Sequence, residues 1–423
     1  MKTKSICILG LGYIGLPTAA LFAAKGMPIH GVDVNEEVCK SINAGRVHIE
    51  EPGLEKLVRD AVENGLLKAD TKPVTSDVYI ISVPTPITDG KKADLGYVIS
   101  AAQMVSKVLK KGDLVILEST VPPHCTDQIV VDELQKSGLD AAADFFLAHC
   151  PERVLPGQII HELIHNNRII GGFTAEAAKK AAELYALFVE GQIKTTDSTT
   201  AEMCKLMENT FRDVNIALAN EFAMTCEHLK INVWEAIQLA NLHPRVNILS
   251  PGPGVGGHCI AVDPWFIVEA DPKARLIEMS RKLNDSMPLH VFKRIKQVLP
   301  SGKIVILGCT YKPDVDDTRE SPIIELYHLL SDDYYQVEIY DPHVTHYAGS
   351  LMEKAADADL LVLAVNHTEF KELPLVELGK TMKQKIIFDT RNFLNGARVE
   401  EAGFKYLLLG KAYIPIPEMI AKR

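Results

Sequence analysis

The sequence predicts an α/β protein that has a sheet domain at each end and a helical segment between them. Short runs rich in β-branched residues alternate with helix-like stretches in residues 1–195 and again in residues 299–423. Strands that alternate with helices favour a parallel sheet covered on both faces. Residues 196–298 differ, because the stretch 201–229 contains no glycine or proline and is typical of one long helix. These three ranges are the predicted domains.

The individual elements are predicted from apolar and β-branched runs that are bounded by turn signals. Strands of the first domain are expected at Ser5–Leu9, Ile29–Asp33, Val78–Val83, Leu114–Glu118, Phe145–His149 and Arg168–Ile170. Strands of the last domain are expected at Lys303–Gly308, Val337–Tyr340, Asp359–Val365 and Lys385–Asp389. Further helices are expected at Ala175–Phe188, Val233–Leu242 and Ala274–Val298, the last with a kink at Pro288.

Composition and charge argue against several classes of protein. A formal net charge of −10 disfavours nucleic-acid binding, which needs a basic face. The 8 cysteines form no Cys-x-x-Cys pair, so no zinc site is expected and no metal is predicted. The apolar run 5–24 resembles a membrane helix, but the glycines of the run 10–15 interrupt it, so no membrane segment is expected. Scattered cysteines in a long chain are typical of a reducing compartment, so a cytoplasmic protein is predicted.

The clearest motif is the run 10–15, GLGYIG, which follows an apolar strand and opens a helix. This order predicts a Rossmann-like first domain, and the last domain is predicted to be a second Rossmann-like α/β domain. Its glycines allow a tight turn and let a pyrophosphate approach the free N–H groups of the helix. Asp33 ends the next strand, where a carboxylate can bind ribose hydroxyls and would repel a 2′-phosphate. NAD is therefore favoured over NADP, and FAD, which uses the same turn, is the main rival. The predicted cofactor contacts are Gly10, Gly12, Tyr13, Ile14, Gly15 and Asp33.

Three polar segments follow strands at the carboxyl edge of the predicted sheet, where ligands bind in open α/β folds. Pro84 and Thr85 end the third strand, and Thr120 follows the fourth. Either segment alone is more often an ordinary turn. The run 150–153, CPER, follows the fifth strand and would bring Glu152 near the nicotinamide.

Another group of residues would carry the chemistry. Cys259 lies in a glycine-rich loop, where little side-chain cover and nearby N–H groups favour a reactive thiolate, and Asp263 follows it closely. On the long helix, Lys205 and Asn209 are spaced i, i+4 and share a face, so they could stabilise an oxyanion. The alternative interpretations are a buried core cysteine and a solvated helix face.

A polar loop follows the first predicted strand of the last domain. It runs from residue 311 to residue 322 and contains Lys312 and Arg319 among several acidic residues. The two cations could bind phosphates.

Together these segments resemble the UDP-glucose/GDP-mannose dehydrogenase family, along essentially the whole chain and in the family's order. The resemblance rests on GLGYIGLPTA at the start, on the GGHC loop, and on the runs 118–120, 150–153, 202–209 and 312–322. It implies that Cys259 is the nucleophile and that the catalytic set is Cys259, Lys205, Asn209, Asp263, Glu152 and Thr120. It implies that substrate is bound by Glu152, Arg153, Lys205, Asn209, Arg212, His243, Arg245, Gly256 and Lys312. Further cofactor contacts would come from Pro84, Thr85, Thr120 and Arg319.

The stretch 243–266, HPRVNILSPGPGVGGHCIAVDPWF, is typical of the family branch that acts on UDP-N-acetylhexosamines. UDP-glucose dehydrogenases usually carry a lysine directly before the aspartate of this motif, where this chain has Val262. The resemblance therefore implies a four-electron, NAD-dependent oxidation of the C6 alcohol of UDP-N-acetyl-D-mannosamine to a carboxylate, through a thiohemiacetal and a thioester on Cys259. UDP-N-acetylglucosamine and UDP-glucose are the alternative substrates.

Two remoter functions stay open at this point. A two-electron 3-hydroxyacid dehydrogenase would share the nucleotide domain and the long helix but needs no thiol. A non-catalytic NAD-binding regulator would bind the cofactor without turnover. The family also implies a homodimer through the central helices, with Arg245 often reaching the substrate across the interface.

Overall fold

The computed structural model of this chain describes residues 4–155 and 157–412. The chain divides into two compact units. The first comprises the described residues up to Glu208 together with Trp265–Pro272, and the second comprises Asn209–Pro264 and the described residues from Lys273 onward. The domain boundaries predicted at residues 195 and 298 stay predictions. None of the helices in the described ranges is long and apolar enough to cross a membrane.

An eight-stranded sheet forms the centre of the first unit. Its strands are β1 (Ile6–Leu9), β2 (Ile29–Val32), β3 (Leu67–Asp70), β4 (Val78–Ile81), β5 (Leu114–Leu117), β6 (Phe146–His149), β7 (Arg168–Gly172) and β8 (Ile193–Asp197). They lie in the order β3-β2-β1-β4-β5-β6-β7-β8. The strand order changes direction between β1 and β4, and ligands of open α/β sheets bind at such a point.

Helices cover both faces of this sheet. They are α1 (Gly15–Ala24), α2 (Glu36–Asn43), α3 (Leu54–Glu63), α4 (Gly96–Ser106), α5 (Val131–Gln135), α6 (Ile159–His165) and α7 (Ala175–Tyr185), with a π-helical turn at Cys125–Val130. Ile6 and Ile8 of β1 pack in the core that contains α1 and α3, whereas Cys7 and Leu9 pack in the core that contains α4. This alternation follows from the two-residue period of a strand.

Two features of the first sheet differ from the prediction. The pair β6 and β7 is antiparallel, so the expectation of a wholly parallel sheet is wrong there. The apolar run of β7 predicts a strand but carries no information about its direction. The strands β3 and β8 were not predicted, because both are edge strands that leave residues exposed and so lack the continuous apolar run of the inner strands.

Four helices lie between the two sheets in the sequence. They are α8 (Ser198–Leu229), α9 (Val233–Ala240), α10 (Asp263–Ala270) and α11 (Arg275–Val298). The predicted long helix is confirmed as α8, which is continuous although the division between the two units falls within it. The helix α11 continues through Pro288. The helix α10 was not predicted, because Trp265, Phe266 and Ile267 are consecutive apolar residues and show no helical alternation with polar ones.

The second unit contains a five-stranded parallel sheet. Its strands are β9 (Lys303–Leu307), β10 (Gln336–Tyr340), β11 (Leu360–Leu363), β12 (Ile386–Asp389) and β13 (Lys405–Leu408), in the order β10-β9-β11-β12-β13. The helices are α12 (Pro322–Asp332), α13 (Leu351–Ala355), α14 (Leu375–Thr381) and α15 (Gly396–Glu401). The predicted second Rossmann-like α/β region is confirmed, and only β13 among its strands was not predicted.

Candidate active site

The three glycines of the turn in the first unit differ in the space around them. Gly10 has a φ of +90°, and a Cβ there would lie 2.3 Å from the carbonyl oxygen of Ser82. A Cβ on Gly15 would lie 1.8 Å from the carbonyl oxygen of Gly10, so both glycines are required by packing. A Cβ on Gly12 would meet no described atom within 4 Å. Gly12 is therefore the position at which a phosphate can approach the backbone.

The start of α1 and the end of β2 complete this turn. Ile14 precedes α1, and among the described residues no side chain caps its first turn. Its free N–H groups can therefore bind an anion. The carboxylate of Asp33 accepts hydrogen bonds from the N–H groups of Leu11 (3.1 Å) and Asn35 (2.9 Å) and remains half-exposed. Tyr13 is also exposed beside the turn.

The loops after β4 and β5 are joined by hydrogen bonds. The hydroxyl of Ser119 accepts from the N–H of Val83 (2.9 Å) and donates to its carbonyl (2.7 Å). The hydroxyl of Thr85 donates to the carbonyl of Thr120 at 2.6 Å. Thr85 and Thr120, which were predicted independently, therefore belong to one polar edge, with Pro84 exposed beside them.

The CPER segment after β6 is held by two arginines. Arg168 of β7 donates to the carboxylate of Glu152 at 3.4 Å. Arg153 forms a bidentate salt bridge with Glu208 on α8, with N–O distances of 2.9 and 2.6 Å. Paired bonds of this kind define an orientation as well as a distance. The segment that carries Glu152 is therefore tied both to the sheet and to α8.

On α8, the face that Lys205 and Asn209 share is buried, so the alternative of a solvated face is wrong. Lys205 is only 8% exposed, and within residues 4–155 and 157–412 its ammonium forms no ion pair. Because a buried ammonium is costly unless it is paired, a bound anion or a developing oxyanion would compensate the charge of Lys205. Glu202 is also buried, and it accepts hydrogen bonds from the N–H groups of His124 and Thr126 and from the Thr126 hydroxyl. Burial raises the pKa of Glu202 to about 7, and these hydrogen bonds oppose the rise.

The second unit brings three of the predicted residues together. The side-chain amide of Asn209 donates to the carboxylate of Asp263, the first residue of α10. Arg212 donates to the carbonyl oxygen of the same amide. Asn209 and Asp263 are both buried. The amide of Asn209 therefore links Arg212 to Asp263.

The loop before Cys259 has no space for side chains at its glycines. A Cβ on Gly256 would lie 2.2 Å from the carbonyl oxygen of Glu320, and one on Gly257, where φ is +84°, would lie 2.8 Å from the ring of Tyr311. Cys259 itself is exposed. Its carbonyl accepts the N–H of Asp263 at 2.9 Å, which leads the chain directly into α10. The exposed thiol is therefore presented by a tightly packed backbone.

A buried polar network, which was not predicted from the sequence, also supports this loop. Arg281 of α11 is fully buried and pairs with Asp213 of α8, while its guanidinium also donates to the carbonyl of Val255 at 3.3 Å. Asn220 accepts the N–H of Gly252 at 2.8 Å. An arginine within a long amphipathic helix carries no local signal of burial, so only the packing of α8 against α11 reveals it.

The polar loop before α12 lies in the same unit. Arg319 is exposed and forms a bidentate salt bridge with Asp317, with N–O distances of 2.9 and 2.8 Å. His258 lies 3.6 Å from Asp317. Burial and the nearby Arg319 lower the pKa of His258, against the opposing charge of Asp317. Lys312 is half-buried, and its carbonyl accepts the hydroxyl of Thr310 at 2.8 Å.

Two further loops of the second unit contain arginines. His243 and Arg245 are exposed in a loop that Asn241 closes through two hydrogen bonds with the backbone of Ile248. Arg391, which was not predicted, follows β12 and donates to the carbonyl of Ala364 at 3.0 Å. Burial lowers the pKa of Arg391 to about 10. Its position directly after a strand was the signal that could have identified it.

The chain matches the models of all three domains of one enzyme family. These are the NAD binding domain (residues 4–189), the central domain (199–286) and the UDP binding domain (305–396) of the UDP-glucose/GDP-mannose dehydrogenase family. The chain therefore belongs to this family of nucleotide-sugar dehydrogenases.

Individual members of the family are similar to this chain over nearly its whole length. A UDP-N-acetyl-D-mannosamine dehydrogenase of Methanocaldococcus jannaschii is 49% identical, over 96% of each chain. An NDP-N-acetyl-D-galactosaminuronic acid dehydrogenase of Ralstonia nicotianae is 46% identical, over 94% of this chain and 97% of the relative. The solved structure of a UDP-D-ManNAc dehydrogenase from Pyrococcus horikoshii is similar with a TM-score of 0.91 and 42% identity, over 97% of this chain and 100% of that chain.

Proposed function

We propose that this chain oxidises the C6 alcohol of UDP-N-acetyl-D-mannosamine to a carboxylate, with NAD as the cofactor. The observation that carries the proposal is Cys259, an exposed thiol on a loop whose glycines are required by close packing. The relatives named for UDP-N-acetyl-D-mannosamine support this sugar, and they match nearly the whole chain.

The glycine turn of the first unit fits a dinucleotide. Gly12 and the uncapped start of α1 would bind the pyrophosphate, and the half-exposed carboxylate of Asp33 would bind the ribose hydroxyls. The same carboxylate would repel a 2′-phosphate, which favours NAD over NADP. Two molecules of NAD would be used per sugar, and each would accept one hydride ion.

The residues of this chain would divide the reaction into two oxidations. The first converts the alcohol to an aldehyde, with loss of one proton and one hydride from the sugar. The thiolate of Cys259 then attacks the aldehyde carbon to form a thiohemiacetal, which loses the second hydride to become a thioester. Lys205 and Asn209 would stabilise the oxyanions of these steps.

Hydrolysis completes the reaction. Water adds to the thioester carbon, the C–S bond breaks, and Cys259 is released as the thiolate. Glu152 or Asp263 would accept the proton of the attacking water. The sum is one alcohol and one water converted to one carboxylate, with two hydrides and three protons released.

Replacing the thiol tests this scheme directly. We expect Cys259→Ala to abolish formation of the acid, because no covalent intermediate can form, and Cys259→Ser to stall before complete hydrolysis. The measurement is the number of NADH molecules released per sugar together with detection of the acid product. Cys226→Ala, a half-buried cysteine near the end of α8, is the matched control. Two NADH per sugar and full conversion to the acid in Cys259→Ala would exclude the covalent scheme.

A panel of nucleotide sugars tests the substrate. UDP-N-acetylmannosamine should give NADH release, and UDP-glucose should be inert. Efficient turnover of UDP-glucose, or of an N-acetylglucosamine or N-acetylgalactosamine derivative in preference to the mannosamine, would contradict the proposed sugar. The two remoter functions are tested in the same assay, because they predict either one hydride per substrate or NAD binding without turnover.

We also propose a homodimer through the helices of the second unit. On α8, Phe211, Leu218 and Phe222 are exposed and share one face, with Phe211 at 68% exposure. On α11, Leu276 and Met279 are exposed as well. An apolar face of this kind is typical of a protein interface.

The cytoplasmic location stays a prediction.

A further inference from the structure

One buried arginine of the first unit is shared between two carboxylates. The guanidinium of Arg168, on β7, lies 3.8 Å from Glu118 after β5 and 3.4 Å from Glu152 after β6. It also donates to the thiol of Cys150 at 3.4 Å and lies over the ring of Tyr185 at 4.6 Å. All of these groups meet where three neighbouring strands begin or end.

The carboxylate of Glu118 is the more deeply buried of the two. Its side chain is 0% exposed, against 11% for Glu152. One of its oxygens accepts the hydroxyl of Tyr185 at 2.5 Å, and the other has no partner among the described residues. An ionised oxygen that is buried without a partner is costly, and the cost is smaller when the group carries a proton.

The charges favour one proton on this cluster. A single guanidinium can neutralise one carboxylate, so ionisation of the second leaves an excess negative charge in a buried region. The thiol of Cys150 and the phenol of Tyr185 do not supply a cation, and burial raises the pKa of Cys150 to about 12. The charged groups that act on Glu118 are the guanidinium of Arg168 and the carboxylate of Glu152.

We propose that Glu118 is a positioning residue that retains a proton and thereby leaves the guanidinium of Arg168 to hold the carboxylate of Glu152. The proposal rests on the proposed function, in which Glu152 acts near the reacting carbon. When Glu118 ionises, it competes for Arg168 and loosens the hold on Glu152. Burial raises the pKa of Glu118 to about 7, while the charge of Arg168 lowers it, so this competition would begin near neutral pH.

Stability measured against pH tests the retained proton without any substrate. Between the ordinary pKa of 4.5 and about 7, the folded chain keeps the proton of Glu118 and the unfolded chain releases it. The native chain should therefore lose stability relative to Glu118→Gln as the pH rises through this window, and the difference should be constant above it. We expect the Tm difference to change by about 2–5 °C between pH 5 and pH 8. A constant difference would overturn the proposal whether or not the proposed reaction is correct.

Turnover measured against pH tests the competition for Arg168. The ratio of kcat for Glu118→Gln to kcat for the native chain should rise by about fivefold between pH 6 and pH 8.5, because ionised Glu118 of the native chain, 3.8 Å from Arg168, then competes with Glu152 for the guanidinium. The control is Glu176→Gln, whose side chain is 57% exposed on α7, and its ratio should stay constant. A constant ratio for Glu118→Gln would overturn the positioning role. A native chain that turns over no nucleotide sugar would instead contradict the proposed function.

A second variant keeps the proposal testable if Glu118→Gln does not fold. Tyr185→Phe removes the hydroxyl donor of Glu118 and keeps the aromatic ring under Arg168. Because that hydrogen bond lowers the pKa of Glu118, its loss should move the fall in stability to higher pH. The same pH dependence in Tyr185→Phe and the native chain would overturn the proposal.

Discussion

In each of the two sheets, the strand that comes first in the sequence is followed by the same type of glycine turn. In the first, the N–H of Gly10 donates to Val32 at 2.8 Å, and in the second the N–H of Gly308 donates to Tyr340 at 2.8 Å. Both glycines have a positive φ, +90° and +85°. In each case an aspartate follows the second strand and accepts the N–H of the residue after the glycine.

The two aspartates differ in what else they bind. Asp33 is half-exposed, and the only hydrogen bonds described for its carboxylate come from backbone N–H groups. Asp341 is fully buried and accepts from the imidazole of His367 at 3.0 Å and from the backbone of His343 at 2.9 Å. Although burial raises the pKa of Asp341, the hydrogen bonds from His367 and from the backbone of Cys309 lower it to about 2. Asp33 can therefore bind a ligand, whereas Asp341 is occupied by its own domain.

The segments that follow the two turns also differ, in their length and in their contacts within the domain. In the first sheet α1 begins at Gly15, close to the turn. In the second, the loop 309–321 separates the turn from α12, and His367 accepts the N–H of Asp314 in that loop at 2.9 Å. Thr368 binds the Asp314 carboxylate through its N–H and hydroxyl. The same type of turn thus leaves its aspartate open to a ligand in the first unit and anchors a loop in the second.

Replacing the second aspartate should have the largest effect. Asp341→Asn should destabilise the fold by about 3 kcal/mol, because the new amide cannot accept from all the buried donors that face it. Unfolding by urea measures the change, and the affinity for NAD should not change. A loss of less than about 1 kcal/mol would mean that Asp341 is not an anchor.

The matched change in the first turn should act on the cofactor instead. Asp33→Asn should raise the Kd for NAD by about tenfold, because a hydrogen bond from a ribose hydroxyl to a carboxylate is stronger than one to an amide. Stability should change by less than about 1 kcal/mol, since the residue is only half-buried. Titration calorimetry with NAD measures the first effect. Equal NAD affinity in Asp33→Asn and the native chain would remove the distinction between the two turns.

A change in the histidine should have the smallest effect. In His367→Asn, the shorter side chain should still accept the N–H of Asp314 but should not also reach Asp341. The loop that carries Lys312 should therefore become less ordered. We expect the KM for the nucleotide sugar to rise about threefold, with a smaller change in kcat. His328→Asn, an exposed histidine on α12, is the control. A fall in kcat alone would contradict a role in binding.

Much of the fold follows from local patterns in the sequence. The strands β1, β2, β4, β5, β6 and β7 were predicted within a few residues, because each is an apolar run bounded by turn signals. The edge strand β3 alternates buried and exposed residues, and this signal was available but weak over 4 positions. The direction of β7 could not be predicted, because strand direction depends on the path of the connecting segment.

The candidate site follows the same division. Local sequence patterns around Cys259, Asp33 and Glu152 were sufficient to identify these three as candidate site residues. The buried ion pairs around the site were not predictable, since Arg168 meets Glu118 and Arg281 meets Asp213 only after distant elements pack. A lone arginine or glutamate in a sequence looks the same whether it is solvated or buried.

The sequence by itself determined the order of the two α/β regions and the helical segment between them, and it predicted the glycine turn at residues 10–15 and Cys259 as a candidate nucleophile. These features depend on backbone geometry and side-chain chemistry within a few neighbouring residues. Only the tertiary structure decided that Asp33 is open and Asp341 is occupied, and that one guanidinium serves two carboxylates. Those outcomes depend on hydrogen bonds and burial between residues far apart in the chain, such as Asp341 and His367.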